Sequence, residues 1–377
     1  MALTAIQNQQ IQTPSQLPIA WYADANVFKV EQQYLFSQAP KYVGHALMAP
    51  NSGDYYALNW LNNAKALVNQ AGEVSLISNI CRHRQAVILK ESGNTQHIVC
   101  PLHRWTYDLN GQLLGAPHFE KNPCLHLHKI SLLNWQGLLF EKVKSSRNIL
   151  DELNKLGCKH DFDFTSYQLD SVNVEHYYFN WKTFIEAYLE DYHVGPFHPG
   201  LNQFVDCDDL SWDFGEHFSA QTVGYKPPTD HNLSPTYQAW QTAVTNYHGN
   251  TPPKHGAIWF VYYPFLMIEW YPQVLVVSHL IPTGVDTCSN VVEFYYPEDI
   301  ALFEREYVKA QQAAYHETAI EDTEICQRMH DGRKGLFAQG LNEYGPYQHP
   351  LESGLEHFHL WYRRQMEQHL PQNNPAR

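Results

Sequence analysis

The segments CRHR (81–84) and CPLHRWTYDLNGQL (100–113) each place a histidine shortly after a cysteine. The spacing is C-x-H in the first segment and C-x-x-H in the second, and 16 residues lie between the two pairs. Each pair follows a run of apolar and β-branched residues and precedes turn-forming residues, a pattern that predicts two loops at the ends of strands. Two such loops can face each other and bring all four side chains together.

Cys81, His83, Cys100 and His103 form a mixed ligand set. A Rieske [2Fe–2S] centre requires this mixture, because two cysteines hold one iron and two histidines hold the other. A zinc site could also use two cysteines and two histidines, although it usually pairs like with like. Four buried residues with an accidental spacing are the third possibility. The arrangement favours the Rieske cluster.

The residues around these loops predict a small antiparallel β domain over 41–145. Short β-rich runs alternate with turn signals such as Asn110-Gly111, which suits a tight reversal. The predicted strands are YYALNWL (55–61), EVSLISNI (73–80), QAVILK (85–90), HIVCPL (97–102) and GLLFEKV (137–143).

The pattern changes after residue 145, and we expect a catalytic domain over 146–377, with residues 1–40 as an N-terminal segment that packs on it. Residues 257–297 contain long apolar strands, whereas the Pro-, Asp- and Asn-rich region 199–255 is expected to be irregular. Helices are predicted from Asn180, over about 297–329 and near 351–367. The fold class is therefore α+β, with an antiparallel sheet wrapped by helices.

The segment EAYLEDYHVGPFHP (186–199) carries a second group of metal-binding side chains. His193 and His198 are five positions apart, so an unbroken helix would place them about 140° apart. They can converge only if the helix is distorted after His193, and Gly195-Pro196 supplies a break. Glu186 and Glu190 in this segment are at i and i+4 and repel each other unless something positive lies nearby, such as a metal or a protonated imidazole. A solvated acidic face with two loop histidines is the alternative.

A third ligand is predicted on the long helix near the C-terminus. Asp322 lies in the middle of an apolar stripe at helical spacing, which consists of Tyr315, Ala319, Ile325, Cys326 and Met329. A carboxylate on a buried stripe is costly unless it is paired or binds a metal. Asp322 is therefore preferred over its neighbour Glu321, which falls on the polar face. Two histidines and one carboxylate make the facial triad of non-haem Fe(II) oxygenases.

Composition argues against several other classes of protein. Among 377 residues, 39 are acidic and 25 are Lys or Arg, without a dense basic run, which argues against nucleic-acid binding. No apolar run approaches the roughly 20 residues of a membrane helix, and the first residues do not form a secretion signal. Seven scattered cysteines are not a secreted disulfide pattern. We expect a cytoplasmic protein.

With both ligand sets in place, the chain resembles the Rieske non-haem iron oxygenases, in particular the α (large) subunits of ring-hydroxylating and demethylating systems. The resemblance rests on the two cluster segments, on NWKTFIEAYLEDYHVGPFHPGL (180–201) and, more weakly, on AIEDTEICQRMHDG (319–332) and ESGLEHFHLWY (352–362). It implies a Rieske domain joined to a helix-grip (START-like) catalytic domain, usually assembled as a homotrimer.

The resemblance also implies the reaction. Such a terminal oxygenase uses O₂ and electrons from a separate NAD(P)H-dependent reductase, sometimes through a ferredoxin, to hydroxylate, dihydroxylate or oxidatively demethylate a small organic molecule. Glu190 holds the place, three positions before His193, where many dioxygenases of the family carry aspartate. With glutamate at this position, the chain is more similar to the branch of the family that oxidises quaternary amines. In the implied trimer, Glu190 would connect the iron site to the cluster of a neighbouring subunit through one histidine on each side.

The substrate is predicted only as a class. In the aromatic segment AIWFVYYPFLMIEWYP (257–272), alternate positions should face a catalytic cavity, and Phe265, Met267 and Trp270 are candidate substrate-binding residues. An aromatic cage would suit a quaternary ammonium group, whereas a flat apolar slot would suit an aromatic ring, and both remain open. A Rieske-type electron carrier without oxygenase activity is the alternative function, although a carrier would be much shorter and would need no iron triad.

Replacing His103 with cysteine tests the cluster assignment. The substitution should alter or remove the Rieske spectrum, because histidine ligation of one iron distinguishes this cluster from all-cysteine clusters. Absorption and EPR spectra of the purified protein provide the measurement, with His97→Cys in the same domain as the control. An unchanged spectrum of His103→Cys would refute the assignment.

Overall fold

The structure is a computed structural model that describes residues 16–142, 148–229, 234–249 and 251–370. These residues form two compact units: the small unit, within Pro40–Lys155, and the large unit, which combines the residues up to Ala39 with those from Leu156 onward. Within the described ranges, no helix combines the length and the apolar character that crossing a bilayer requires.

The small unit consists mainly of short antiparallel strands. In chain order they are β1 (Tyr42–His45), β2 (Asp54–Ala57), β3 (Lys65–Gln70), β4 (Glu73–Ser78), β5 (Ser92–Asn94), β6 (Ile98–Val99), β7 (Thr106–Tyr107), β8 (Leu113–Gly115), β9 (Lys129–Ile130), β10 (Leu132–Trp135) and β11 (Leu138–Glu141). The strand orders in its sheets are β5-β2-β3-β4-β9, β1-β11-β10 and β6-β7-β8.

Most of the predicted strands of this unit contain an observed one, but QAVILK (85–90) does not. Val87 of this segment forms a single β-bridge with Ile80. The segment does not extend into a strand because it closes a tight loop, in which the Cys81 N–H donates to the Ala86 carbonyl. The five segments are examples of the predicted strands, and β3, which lies at the centre of its sheet, is not among them. Residue 143, the last of the predicted strand 137–143, lies outside the described residues.

The large unit is built on one antiparallel sheet with the order β12-β18-β17-β16-β15-β14-β13. Its strands are β12 (Tyr167–Tyr177), β13 (Val205–Phe214), β14 (Phe218–Tyr225), β15 (Ala257–Tyr262), β16 (Leu266–Tyr271), β17 (Val274–Gly284) and β18 (Thr287–Pro297). The strands β15, β17 and β18 are buried along most of their length, and β15 is almost continuously apolar.

Helices complete the fold and confirm the expected α+β class. They are α1 (Ala20–Ala23), α2 (Ala25–Val30), α3 (Ile149–Leu153, in the small unit), α4 (Trp181–Tyr188), α5 (Val194–Phe197), α6 (Leu201–Phe204), α7 (Pro235–His248), α8 (Glu298–Phe303), α9 (Arg305–Ala338) and α10 (Ser353–Met366). A π-helical turn over Glu31–Phe36 follows α2, and short 3₁₀ turns cover Ala46–Met48 and Asn59–Leu61.

Two expectations for this unit need correction. The described part of region 199–255 is not irregular, because it contains α6, the β13–β14 hairpin and α7. The acidic residues that suggested a loop lie along β13, an edge strand with many solvent-exposed positions. The helix predicted over about 297–329 is interrupted at Glu304, and its longer part continues to Ala338.

A buried polar cluster ties α4 to the N-terminal segment and to α10. Glu31, which is fully buried, accepts hydrogen bonds from Lys182 Nζ at 2.6 Å and Trp181 Nε1 at 3.1 Å, and from the Tyr362 hydroxyl. Because a buried charge is tolerated only with a partner and further hydrogen bonds, this cluster strongly disfavours any displacement of α4. The position of α4 matters because the candidate site begins where this helix ends.

Candidate active site

The two cysteine–histidine loops of the small unit fold in the same way. In each, the residue four positions after the cysteine donates its N–H to the cysteine carbonyl, Gln85 to Cys81 at 3.0 Å and Arg104 to Cys100 at 3.1 Å. Both donor residues have a positive φ, 56° and 60°, which tightens the two turns equally. The matched loops bring the rings of His83 and His103 to a centroid distance of 4.6 Å.

The side chains in these loops fit a [2Fe–2S] cluster. Cys81 and Cys100 are buried, and the Tyr107 hydroxyl lies 3.6 Å from Cys81 Sγ. Burial alone would raise the pKa of the Cys81 thiol, but hydrogen bonds from the His83 backbone and from Tyr107 lower it, whereas burial raises the pKa of the neighbouring Cys100 thiol. His83 stacks on Trp105, and its buried Nδ1 has no hydrogen-bond partner among the described residues. An orphaned imidazole nitrogen beside thiolates is suited to bind iron.

In the large unit, the helical segment breaks earlier than Gly195-Pro196. Helix α4 ends at Tyr188, and the chain turns before the one-turn helix α5, which His193 and His198 flank at its two ends. Pro196 lies within the first turn of α5, where its missing N–H is not needed. This short helix brings the two rings to a centroid distance of 4.8 Å.

Asp322 on α9 meets both histidines. Its Oδ1 lies 3.1 Å from His198 Nε2 and 3.5 Å from His193 Nε2, and one ligand atom from each residue lies within 4.8 Å of the others. Burial would raise the pKa of Asp322, but the two imidazoles lower it to about 2, so the carboxylate is charged. Burial would lower the pKa of His193, but Asp322 and Glu190 raise it to about 10. Such a concentration of donors and negative charge fits a divalent iron.

A carboxylate behind each histidine orients its ring. Glu190 accepts the His193 backbone N–H at 3.0 Å and also contacts its Nδ1. Glu321 lies 2.7 Å from His198 Nδ1. With Nδ1 engaged in both rings, each Nε2 is left to face Asp322, as in metal sites whose histidine ligands are held by carboxylates. Sequence reasoning missed this contact of Glu321, although its position directly before Asp322 was a signal.

The charge of Glu186, which was expected to repel Glu190, is balanced by Arg333 and not by the residues around Asp322. Glu186 Oε2 lies 2.6 Å from a guanidinium nitrogen of Arg333, and its Oε1 lies 2.8 Å from His359 Nε2. Burial would raise the pKa of Glu186, but Arg333 and His359 lower it to about 2. Glu186 therefore joins α4 to α9, whereas Glu190 remains with His193.

A cavity of about 440 Å³ adjoins the triad. It is bounded by one face of the sheet and by residues of α4, α7 and α9, and it includes His193, His198 and Asp322 in its wall. A volume of this size holds a small organic molecule. The sheet contributes Asn173, Glu175, Tyr177, Gln221, Trp259, Glu269, Tyr271, Ser278, Asn290, Val292 and Phe294.

Phe265, Met267 and Trp270 are not among the residues that line this cavity. Phe265 packs against Phe36 and Trp181, and Met267 is fully buried in the same apolar core. Trp270 lies on the opposite face of β16, where it contacts His255. The cavity lies farther along the sheet than the predicted residues, and Trp259 and Tyr271 line it.

Glu269 is a site residue that sequence reasoning missed. It is 2% exposed, and its two carboxylate oxygens accept the Tyr271 hydroxyl at 2.7 Å and the Tyr315 hydroxyl at 3.0 Å. Burial raises the pKa of Glu269 to about 7, against the effect of these two hydrogen bonds. A single carboxylate in the apolar strand LMIEWY was the available signal.

Comparison with known proteins identifies the class to which this fold and site belong. Residues 163–368 match the model of the ring-hydroxylating α-subunit catalytic domain, and residues 41–131 match the Rieske [2Fe–2S] domain. The chain belongs to the Rieske oxygenases as an α subunit. It is an oxygenase that carries a [2Fe–2S] cluster and a mononuclear iron.

Two relatives are similar over nearly the whole chain. A putrescine 2-hydroxylase of Ralstonia nicotianae is 54% identical, over 95% of this chain and 97% of that protein. A putrescine 2-hydroxylase of Bordetella bronchiseptica is 48% identical, over 93% of this chain and 85% of that protein. Among solved structures, a quaternary ammonium Rieske monooxygenase in complex with L-carnitine has a TM-score of 0.68 at 18% identity, over 93% of this chain and 94% of that one, which supports the fold.

Replacing Asp322 with alanine tests the triad. The variant should keep the Rieske spectrum but lose the mononuclear iron, so iron should fall from about three to about two atoms per chain. Turnover should fall by about 100-fold or more, because even outer contacts of such sites matter by 10- to 100-fold. Iron analysis and absorption spectra provide the measurement, and Glu324→Ala, an exposed position on the same helix, is the control. If Asp322→Ala retained full iron, the third ligand would have to be another residue, with Glu321 the first to test.

Proposed function

We propose that this protein is the terminal oxygenase of a system that hydroxylates a short aliphatic diamine, with putrescine as its substrate. The observation that carries the proposal is the agreement between near-full-length similarity to two putrescine 2-hydroxylases and a cavity that holds a buried carboxylate among aromatic side chains. A protonated amine suits both of these features.

In this proposal, Cys81, His83, Cys100 and His103 hold the cluster, and a separate triad holds the Fe(II). The matched loops and the orphaned His83 nitrogen support the first assignment. The convergence of His193, His198 and Asp322 within 4.8 Å supports the second. We also propose that the Rieske domain covers residues 41–145, that the catalytic domain covers 146–377, and that residues 1–40 pack on the latter; residues 1–15 lie outside the described residues, and the compact small unit continues to Lys155.

The protein's own residues prepare the site for hydroxylation. When bound, the cluster supplies electrons and the iron supplies the site of O₂ reduction. Glu190 and Glu321 fix the two imidazoles in one orientation, so that both Nε2 atoms face Asp322. The rings of Trp259, Tyr271 and Phe294 line the cavity and offer apolar surface to the carbon chain of the substrate. Overall, one oxygen atom of O₂ enters a C–H bond and the other leaves as water, with electrons from NAD(P)H and protons from solvent.

The proposed electron donors are a separate NAD(P)H-dependent reductase and, where one is used, a ferredoxin. We propose that the enzyme works as a homotrimer in the cytoplasm, and that Glu190 connects the iron site of one subunit to a cluster histidine of its neighbour. Glu190 is suited to this role because it contacts His193 Nδ1 while its side chain remains 15% exposed. A carboxylate between two histidine N–H groups would orient both rings.

A substrate panel tests the function. The holoenzyme, supplied with a generic reductase and NADH, should consume O₂ and form one hydroxylated product from 1,4-diaminobutane. Turnover should exceed that of choline, carnitine and naphthalene by about tenfold or more, because these molecules cannot offer two primary ammonium groups. Product analysis by mass spectrometry gives the answer. Turnover of the other compounds alone would contradict the proposal.

Replacing Glu190 with glutamine tests the proposed connection between the two centres. The variant should retain both metal centres and the spectrum of the reduced cluster, because Glu190 is not a ligand. In a single turnover with substrate and O₂, its cluster should be oxidised about tenfold or more slowly. Asp191→Asn is the matched comparison, since its carboxylate is adjacent. Equal cluster oxidation rates in Glu190→Gln and the parent enzyme would refute the connection.

A further inference from the structure

The register of the sheet aligns three cavity-lining residues on neighbouring strands. Gln221 on β14 pairs with Trp259 on β15, and Trp259 pairs with Glu269 on β16. All three line the cavity, so the indole lies between an amide on one side and a carboxylate on the other. This row belongs to the sheet, whereas the iron triad is built from α9 and the segment after α4.

Glu269 differs from Glu31 and Glu186, two other buried glutamates of the large unit, in having no cationic partner among the described residues. Glu31 pairs with Lys182, and Glu186 pairs with Arg333. Among the described residues, no Lys, Arg or His nitrogen forms an ion pair with Glu269, whose partners are the neutral hydroxyls of Tyr271 and Tyr315. A buried carboxylate that faces a cavity without a counter-ion is suited to a cationic ligand.

The surroundings favour a primary ammonium group over a quaternary one. Each Glu269 oxygen accepts one hydrogen bond and has a further lone pair. The Oε1 atom of Gln221 is buried and has no hydrogen-bond partner among the described residues. Trp259 donates its Nε1–H to the Tyr271 hydroxyl at 2.8 Å, which holds two aromatic rings beside the carboxylate. An ammonium with N–H groups could use these acceptors as well as the rings.

The position of Glu269 relative to the triad suits a short aliphatic substrate with an ammonium group at each end. Tyr315, which donates to Glu269, precedes Asp322 by seven residues on α9, roughly 10 Å along the helix axis. Both residues line the same cavity. A four-carbon diamine spans roughly 6 Å between its nitrogens. One ammonium on Glu269 therefore leaves the carbon chain directed toward the triad.

We propose that Glu269, positioned by Tyr271 and Tyr315, binds the substrate ammonium that lies farther from the iron and so makes the enzyme selective for diamines over monoamines. This inference rests on the proposed function and adds the residue that recognises the second charge. The selectivity arises in binding, because the carboxylate meets the end of the substrate that does not react.

Two measurements on the holoenzyme test this role. Calorimetry without an electron donor gives the Kd of 1,4-diaminobutane and of 1-aminobutane, and steady-state turnover gives KM and kcat for both. The parent enzyme should prefer the diamine, and Glu269→Gln should raise its Kd and KM by about 30-fold while changing those of the monoamine by less than about threefold. Glu293→Gln is the matched control, since Glu293 is equally buried on the opposite face of β18 and accepts the Tyr295 hydroxyl.

The outcomes separate this inference from the function on which it rests. A parent enzyme that neither binds nor hydroxylates the diamine would contradict the proposed function and the inference with it. If the parent enzyme hydroxylated the diamine but bound 1-aminobutane equally well, only the role of Glu269 would be contradicted. This comparison uses the parent enzyme and does not depend on whether Glu269→Gln folds. The role of Glu269 would also be contradicted if a folded Glu269→Gln variant kept the parent's preference for the diamine.

Discussion

The meeting of Asp322 with His193 and His198 depends on how α9 packs against α4. Asp322 is more than 120 residues away from either histidine in the sequence, so only the tertiary structure brings them together. Arg333 of α9 binds Glu186 and the Thr183 hydroxyl of α4, and Cys326 Sγ lies 3.7 Å from the Thr183 carbonyl. Because these contacts are buried or partly buried, they favour one position of α9 along α4, and this position brings Asp322 to the two histidines.

The sequence predicts both ligand sets because metal chemistry restricts residue type and spacing, and the structure brings the three residues His193, His198 and Asp322 together. The same holds for Asp322, a carboxylate on an apolar helix stripe. Other features depend on strand register or on contacts across the fold, which sequence spacing does not report. The β13–β14 hairpin was obscured by its acidic residues, and the cavity face of β16 could not be located before its pairing with β15 was known. Glu321 and Glu269 were missed for this reason.

Within the large unit, the residues proposed to bind the metal and the residues that line the cavity come mainly from different elements. The short helix α5 and α9 bring together the metal-binding groups, whose ring orientation Glu190 and Glu321 control. The sheet supplies one wall of the cavity, in which aromatic side chains alternate with polar ones. Because none of these sheet residues belongs to the cluster of His193, His198 and Asp322, a substitution in this wall can change substrate preference without altering that cluster.

Isotope labelling tests the central claim, that O₂ is used to hydroxylate a diamine at this site, most directly. The holoenzyme would be given 1,4-diaminobutane under oxygen-18 gas in ordinary water, and the product analysed by mass spectrometry. The account predicts a monohydroxylated diamine that contains one labelled oxygen atom. A product whose oxygen came from water, or the absence of any hydroxylated diamine while O₂ is consumed, would contradict it.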